Sequence, residues 1–322
     1  MSHRPSHQLP KLTVTAQDRE EATMRITVNE VDRGRRALIT GASSGIGRDV
    51  ARVFAEHGFS LVVTARRLER LEALARELKA NYGTDVVVVQ ADLSLADGPV
   101  VLMDEIDRRG LDVDILVNCA GTGDGCAYTE IPWDAHQQQI QLMALSPARL
   151  IHLALPGMLK RGYGRVVNVT SVAAHMPGVP LRAFYCPTKS FLYKLTEGLC
   201  TEYHGTGVTF TATAPGFTES ELVDLSGART IVDKLPGFML AETRVVAEQT
   251  VAACLAGVAT YTHLWFNRLF FGGFLRHFPT RYAHKLMLSE RDRALRERTG
   301  DVSVARLPGL PSLRHRRQKW PN

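Results

Sequence analysis

Short apolar runs alternate with helical apolar stripes along most of this chain. The first run, Ala37-Leu38-Ile39-Thr40, reads as a buried parallel strand. After a glycine-rich turn, Val50, Val53 and Phe54 recur at helical spacing up to Gly58, a helix stop. Residues 61–64 form a second apolar run, and Leu68, Leu71, Leu74, Ala75 and Leu78 stripe a second helix. Residues 85–90 predict strand three, 95–110 a helix and 113–117 strand four. A long helical pattern over 132–161 precedes strand five at 164–169. A helix over 184–203, strand six at 208–213 and a helix over 243–259 complete the pattern. Such alternation predicts an α/β fold, with crossovers building one parallel sheet covered by helices on both faces.

Composition changes this picture little. The 322 residues are 45% hydrophobic and 22% charged, ample for a core. No apolar run reaches the roughly 18 residues of a membrane span, and residues 1–5 lack an apolar signal core, so a cytoplasmic protein is expected. Five cysteines (Cys119, Cys126, Cys186, Cys200 and Cys254), without a Cys-x-x-Cys pair, argue against a disulfide framework or a metal site. The net charge of +6 is uneven, because residues 268–322 hold 13 Lys/Arg against 4 Asp/Glu. The basic character therefore belongs to a tail on a mildly acidic body, and no nucleic-acid partner is expected.

Candidate chemistry sits at the strand ends. Gly41-Ala42-Ser43-Ser44-Gly45-Ile46-Gly47 joins strand one to the first helix. Gly41 permits the tight turn, Gly45 lets backbone approach a pyrophosphate, and Gly47 lets helix pack on sheet. The free N–H groups at the helix start then hold phosphate. After strand two stands Ala65-Arg66-Arg67, where an acidic residue would select NAD. A small residue followed by arginine suits a 2′-phosphate, so NADP(H) is expected, with Arg66 as the contact and Arg67 as a solvated helix start. Asp92, after strand three, is placed to accept from an adenine amino group or to cap a helix. Tyr185 and Lys189 lie one helical turn apart, where an ammonium favours the phenolate and readies the tyrosine for acid–base work.

Thr40-Gly41-x-x-x-Gly45-x-Gly47, Asn118-Cys119-Ala120-Gly121, Ser171, Tyr185-x-x-x-Lys189 and Pro215-Gly216 occur in this order. With them the chain resembles the short-chain dehydrogenase/reductase superfamily over residues 36–259. The resemblance implies a Rossmann-type doubly wound parallel sheet, a single domain with a helical C-terminal extension, and nicotinamide-dependent carbonyl/alcohol chemistry. It implies Tyr185 as general acid/base, Lys189 as the group that lowers its pKa and bonds the nicotinamide ribose, and Ser171 as a donor to the substrate oxygen. It places NADPH/NADP+ against Gly41, Ser43, Ser44, Gly45, Ile46, Gly47, Arg66, Asp92, Leu93, Asn118, Ala120 and Gly121. Tyr185, Lys189, Pro215, Gly216, Phe217 and Thr218 complete that set. A homo-oligomer, dimer or tetramer, is implied as well. Three positions depart from the pattern: Cys119 replaces a second Asn, the Ser171–Tyr185 spacing is one residue longer, and Met143 stands where many members carry a relay Asn.

The expected organisation is a polar arm over 1–34, the catalytic domain over 35–260, an aromatic and basic extension over 261–300, and a basic tail over 301–322. Within 218–243, Leu222, Val223, Leu225, Phe238, Met239 and Leu240 make an apolar cover with Gly227 and Gly237 as hinges. It suits a bulky, mostly apolar ketone of the lipid, acyl-chain or steroid class, or packs on the body. The aromatic stretch 264–278 suits helical packing, a subunit contact or a peripheral membrane contact. Beside an NADPH-dependent oxidoreductase, two readings stay open: an NADP(H)-binding regulatory or scaffold protein, kept open by Met143, and a lipid-surface protein.

Overall fold

The computed structural model describes residues 25–123, 126–176, 181–221, 223, 229–233, 235–264 and 267–268. Seven strands form one sheet in the order β3-β2-β1-β4-β5-β6-β9. They are β1 (Arg36–Thr40), β2 (Ser60–Ala65), β3 (Val86–Gln90), β4 (Ile115–Asn118), β5 (Gly164–Val169), β6 (Val208–Ala214) and β9 (Thr260–Thr262). Every pairing is parallel, with Leu38 opposite both Val62 and Leu116. Strand order reverses between β1 and β4, which opens a crevice at their carboxyl ends. Two short strands outside this sheet, β7 (Phe217–Glu219) and β8 (Leu240–Glu242), pair with each other.

Side chains alternate along each strand, so the sheet feeds two cores. Ile39, Leu61 and Val63 point to one face, where α1 (Gly45–Glu56), α2 (Leu68–Tyr82) and α7 (Thr243–Leu255) pack. Phe54 and Phe59 meet edge-on there at 5.1 Å and are almost wholly buried. Leu38, Val62 and Leu116 point to the other face, against α3 (Gly98–Arg108) and α5 (Ser146–Arg161). Of the helical stripe read in α2, Leu71, Leu74 and Leu78 are buried, Ala75 is half-buried and Leu68 faces solvent.

The long helical pattern is one continuous segment with an interruption. α4 (Trp133–Ile140) leads into a π turn (Gln141–Leu145) and then α5. By length and a mean hydropathy of 1.4 this helix matches a membrane span, but half of its most apolar window is buried in the fold. It is a core helix. The helical pattern read over 132–161 did not separate this π turn from the α-helix on either side.

Two elements cross boundaries expected from sequence. Strand β9 carries the sheet past residue 260. Ile26 and Val28 pack on the first core, and Asp32 is fully buried, so residues 25–34 dock on the domain. Tyr163 donates its hydroxyl to Asp32 at 2.7 Å, while the Arg35 and Arg165 guanidiniums lie 4.2 and 4.4 Å from its ring centre. Burial, then the Asp32 hydrogen bond, pushes the Tyr163 phenol well above its ordinary range. Of the 264–278 stretch, only residues 264, 267 and 268 fall within the described residues, and the 301–322 tail lies outside them.

Behind β6, fully buried His263 pairs through Nδ1 with Gln249 Oε1 at 3.0 Å. Burial, then the nearby Arg268 charge, holds its imidazole down to about 3. An unfolded chain takes up this proton near pH 6.5; the folded chain refuses it until about pH 3. Stability from this group is complete above pH 6.5 and falls as pH drops toward 3, by about 1.4 kcal/mol per pH unit in that window. Denaturant unfolding between pH 7 and pH 4.5 is expected to show a steeper loss for wild type than for His263→Gln.

Candidate active site

A cavity of about 590 Å³ runs along the carboxyl ends of β1 to β6. Its nucleotide end is the turn after β1. Gly41 sits there at φ +69°, and a Cβ on it would stand 2.8 Å from Ala120 Cα. Neither that conformation nor that contact tolerates a side chain. A Cβ on Gly47 would stand 2.5 Å from Gly41 O, so the start of α1 closes tightly on the turn. Thr40 Oγ1 accepts from Cys119 N and Ala120 N at 3.0 and 3.1 Å, which ties the Cys119-Ala120-Gly121 segment to β1.

Of the residues expected to hold a nucleotide, seventeen reach this cavity and Asn118 does not. Asn118 is buried, and its Nδ2 donates to Asn168 Oδ1 at 2.9 Å. Asn168 Nδ2 donates in turn to Thr196 Oγ1 at 2.9 Å. Asn118 is a structural link because strand alternation turns it away from the cavity and into the sheet's core. Asp92 lines the cavity but bonds locally, accepting from Ser94 N at 2.9 Å and Ser94 Oγ at 2.6 Å. Burial opposes its ionisation, yet the Ser94 hydrogen bonds win and the carboxyl lies below its usual value. Leu93 also lines the cavity, and its carbonyl accepts from Ser146 Oγ at 2.7 Å.

At the other end, β5 delivers Ser171 and α6 (Tyr185–Glu202) delivers Tyr185 and Lys189. Ser171 caps a 3-10 turn (Val172–His175), accepting from Ala173 N at 3.2 Å, and donates weakly to Pro215 O at 3.4 Å. Lys189 is buried and donates to Val169 O at 2.8 Å. Burial pushes its ammonium down to about 8, with a small opposing effect of Cys119. Burial raises the Tyr185 phenol, and the Ser171 hydroxyl and the Arg182 charge pull it back. Two cations stand near the Tyr185 ring, the Arg182 guanidinium at 5.7 Å and the Lys189 ammonium at 6.0 Å from its centre. Met143 lines the cavity beside these groups, and Gln141 turns away to donate to Ser146 Oγ at 2.9 Å.

Residues 35–229 match the family model described as short chain dehydrogenase. The chain belongs to the short-chain dehydrogenase family. It is 37% identical over 195 residues to a short chain dehydrogenase of Pseudocercospora fijiensis, covering 59% of this chain and 61% of that relative's length. It is 32% identical over 231 residues to an uncharacterized oxidoreductase of Myxococcus xanthus, covering 72% of this chain and 88% of the other. The L-sorbose reductase of Gluconobacter frateurii, solved with NADPH and L-sorbose, superposes with a TM-score of 0.65 at 27% identity, over 80% of this chain and 100% of that one. This short-chain dehydrogenase is thus an oxidoreductase of the nicotinamide-dependent class, built on the Rossmann-type sheet that the motifs implied.

Arg67 is the residue of this dehydrogenase that sequence reasoning misplaced. It donates to Ser43 Oγ and Ser44 Oγ at 2.9 and 2.8 Å and pairs with Glu221 at 2.9 Å, so it lies over the glycine-rich turn. Arg66 lines the cavity as expected, and its carbonyl accepts from Gln90 Nε2 at 2.7 Å. Arg67 looked like a helix residue because it precedes the α2 stripe; as N-cap its extended backbone swings the side chain back to the turn. Arg67 and then Arg70 hold the Glu221 carboxyl down to about 2. Gly41→Ala is expected to lower unfolding stability by about 2 kcal/mol or more, through left-handed strain and the contact with Ala120; a denaturant titration checks this.

Proposed function

We propose that this short-chain dehydrogenase reduces a ketone with NADPH, or runs the reverse oxidation of a secondary alcohol, on a bulky and mostly apolar substrate. The observation that carries this reading is the convergence of Ser171, Tyr185 and Lys189 on one cavity whose far end holds the glycine-rich turn and two arginines. The residues fit a dinucleotide: Gly41 and Gly47 are positions where no side chain fits, and α1 begins with its N–H groups at the turn. Gly41, Ser43, Ser44, Gly45, Ile46 and Gly47 would take the phosphates, with Arg66 and Arg67 at the 2′-phosphate. A bound nicotinamide supplies the hydride.

The protein's part is to orient and to move a proton. Ser171 donates to the substrate oxygen and favours the charge that develops there. Tyr185 gives that oxygen its proton, or takes it in the reverse direction. Lys189, poised at about 8, exchanges protons near neutral pH. Leu142, Met143, Val172, Met176, Phe217 and Val223 line the substrate end and support an apolar substrate body. The NADPH bound to the similar L-sorbose reductase supports the choice of cofactor.

Met143 favours one other reading. A thioether donates to no relay water, so an NADP(H)-binding regulatory protein with little turnover fits that position. NADPH oxidation across a panel of apolar ketones separates the two. Turnover is expected, and Tyr185→Phe is expected to lose about 10²–10⁴-fold in kcat while keeping NADPH affinity; full activity in that variant overturns the assignment. Arg67→Gln is expected to weaken NADPH roughly 10- to 100-fold and leave NADH little changed, read as KM for each cofactor. Trp133, Leu145 and Phe191 stay 56, 51 and 44% exposed, which supports a homo-oligomer whose second copy covers them. A monomer by light scattering removes that part of the reading.

A further inference from the structure

Arg182 stands three residues before Tyr185, where the chain enters α6. Leu181 just before it sits at φ +62°, a left-handed conformation unfavourable for leucine. The half-buried Arg182 side chain lines the same cavity as Ser171 and Tyr185, with its guanidinium 5.7 Å from the Tyr185 ring centre. Apolar Val172, Met176, Met143 and Phe217 line the same cavity.

The cavity's other charges at this depth are accounted for. Asp92 is held by Ser94, Lys189 by the Val169 carbonyl, and Arg67 by Glu221. Arg66 lies beside Asp92 at the nucleotide end. Arg182 alone, among the described residues lining the catalytic end, is a charge with neither a hydrogen bond nor an ion pair to the protein. Burying a guanidinium without a counter-charge is unfavourable, and its planar donors match a carboxylate. Stacking on Tyr185 compensates only part of that loss.

We propose that Arg182 determines specificity by taking the carboxylate of the substrate, so that the substrate class is an oxo acid with an apolar body. This deepens the reductase reading and rests on it. Hydride goes to the ketone carbon and the Tyr185 proton to its oxygen; the carboxylate is unchanged and the product is the hydroxy acid. The anion is held within reach of the reacting carbonyl because Arg182 and Tyr185 share one wall. An arginine that only stacked on Tyr185 would act equally on every ketone, and an arginine that binds the anion acts on acids alone.

The test compares phenylpyruvate and benzoylacetate with their methyl esters, using NADPH and wild type, Arg182→Met and Arg182→Lys. Wild type is expected to prefer the acids, and Arg182→Met to lower the acid-to-ester ratio of kcat/KM by roughly 10- to 100-fold, mainly through KM. Arg182→Lys is expected to keep part of that ratio. A ratio equal in wild type and Arg182→Met overturns the proposal. If none of the four compounds oxidises NADPH, the ketone panel decides the reductase reading, and calorimetry of hydrocinnamate binding to the NADP+-saturated protein decides this one separately. Binding in wild type that is lost in Arg182→Met and absent with hydrocinnamamide supports it; equal binding by both proteins, or none by either, overturns it.

Discussion

The site depends on a short chain of buried amides. Asn118 at the end of β4 donates to Asn168 on β5, and Asn168 donates to Thr196 on α6, each at 2.9 Å. The Thr196 hydroxyl donates in turn to Leu192 O at 2.7 Å. These side chains are almost completely inaccessible, so each hydrogen bond is made in a medium where losing it is costly. The consequence is positional. α6 cannot slide along its axis or roll without stranding an amide in the core. That fixes Tyr185 and Lys189, about three and two turns upstream, against the Ser171 that β5 delivers.

At the other end of the cavity, steric closeness does the equivalent work. Gly41 and Ala120 approach to a distance that excludes a Cβ, and Thr40 ties the amides of Cys119 and Ala120 to β1. Strands β1 and β4 are neighbours at the point where strand order reverses, so the two turns that follow them splay apart only beyond this contact. A dinucleotide-sized cavity with a rigid floor results. Its depth is set by backbone, and its chemistry is set by what projects from the rim.

How much of this was legible follows from the range of each signal. Strands β1 to β4 were visible because strands buried on both faces read as short apolar runs, and β5 and β6 because β-branched and aromatic residues dominate them although polar ones are interleaved. Strand β9 was not, because three residues, Thr260–Thr262, make no run. Ser171, Tyr185 and Lys189 were legible as types at a spacing, and the fold brings them to one cavity. Directions were less legible. Asn118 and Cys119 are adjacent in sequence, yet alternation buries one and gives the other to the cavity. Arg66 and Arg67 both line the cavity, and only Arg67 bonds the serines of the glycine-rich turn. Arg182 carried no sequence signal, because its importance lies in the partner it lacks, and a missing partner is a property of three dimensions.

The loop after β7 shows which forces organise the rim. Glu221 pairs with both Arg67 and Arg70, but its side chain is 44% exposed and theirs are 41 and 47% exposed. Ion pairs at that exposure contribute about 0–1 kcal/mol each and weaken with salt. Val223 and Val232, both over nine-tenths buried, pack with Phe217 and Leu240 beneath the same loop. Burying a valine side chain contributes about 1.5–3 kcal/mol. The apolar cluster therefore sets where the loop lies, and the charges set what it faces. A charged rim held by weak pairs is also one that a phosphate can enter, since the guanidinium that loses Glu221 gains an anion of higher charge in its place.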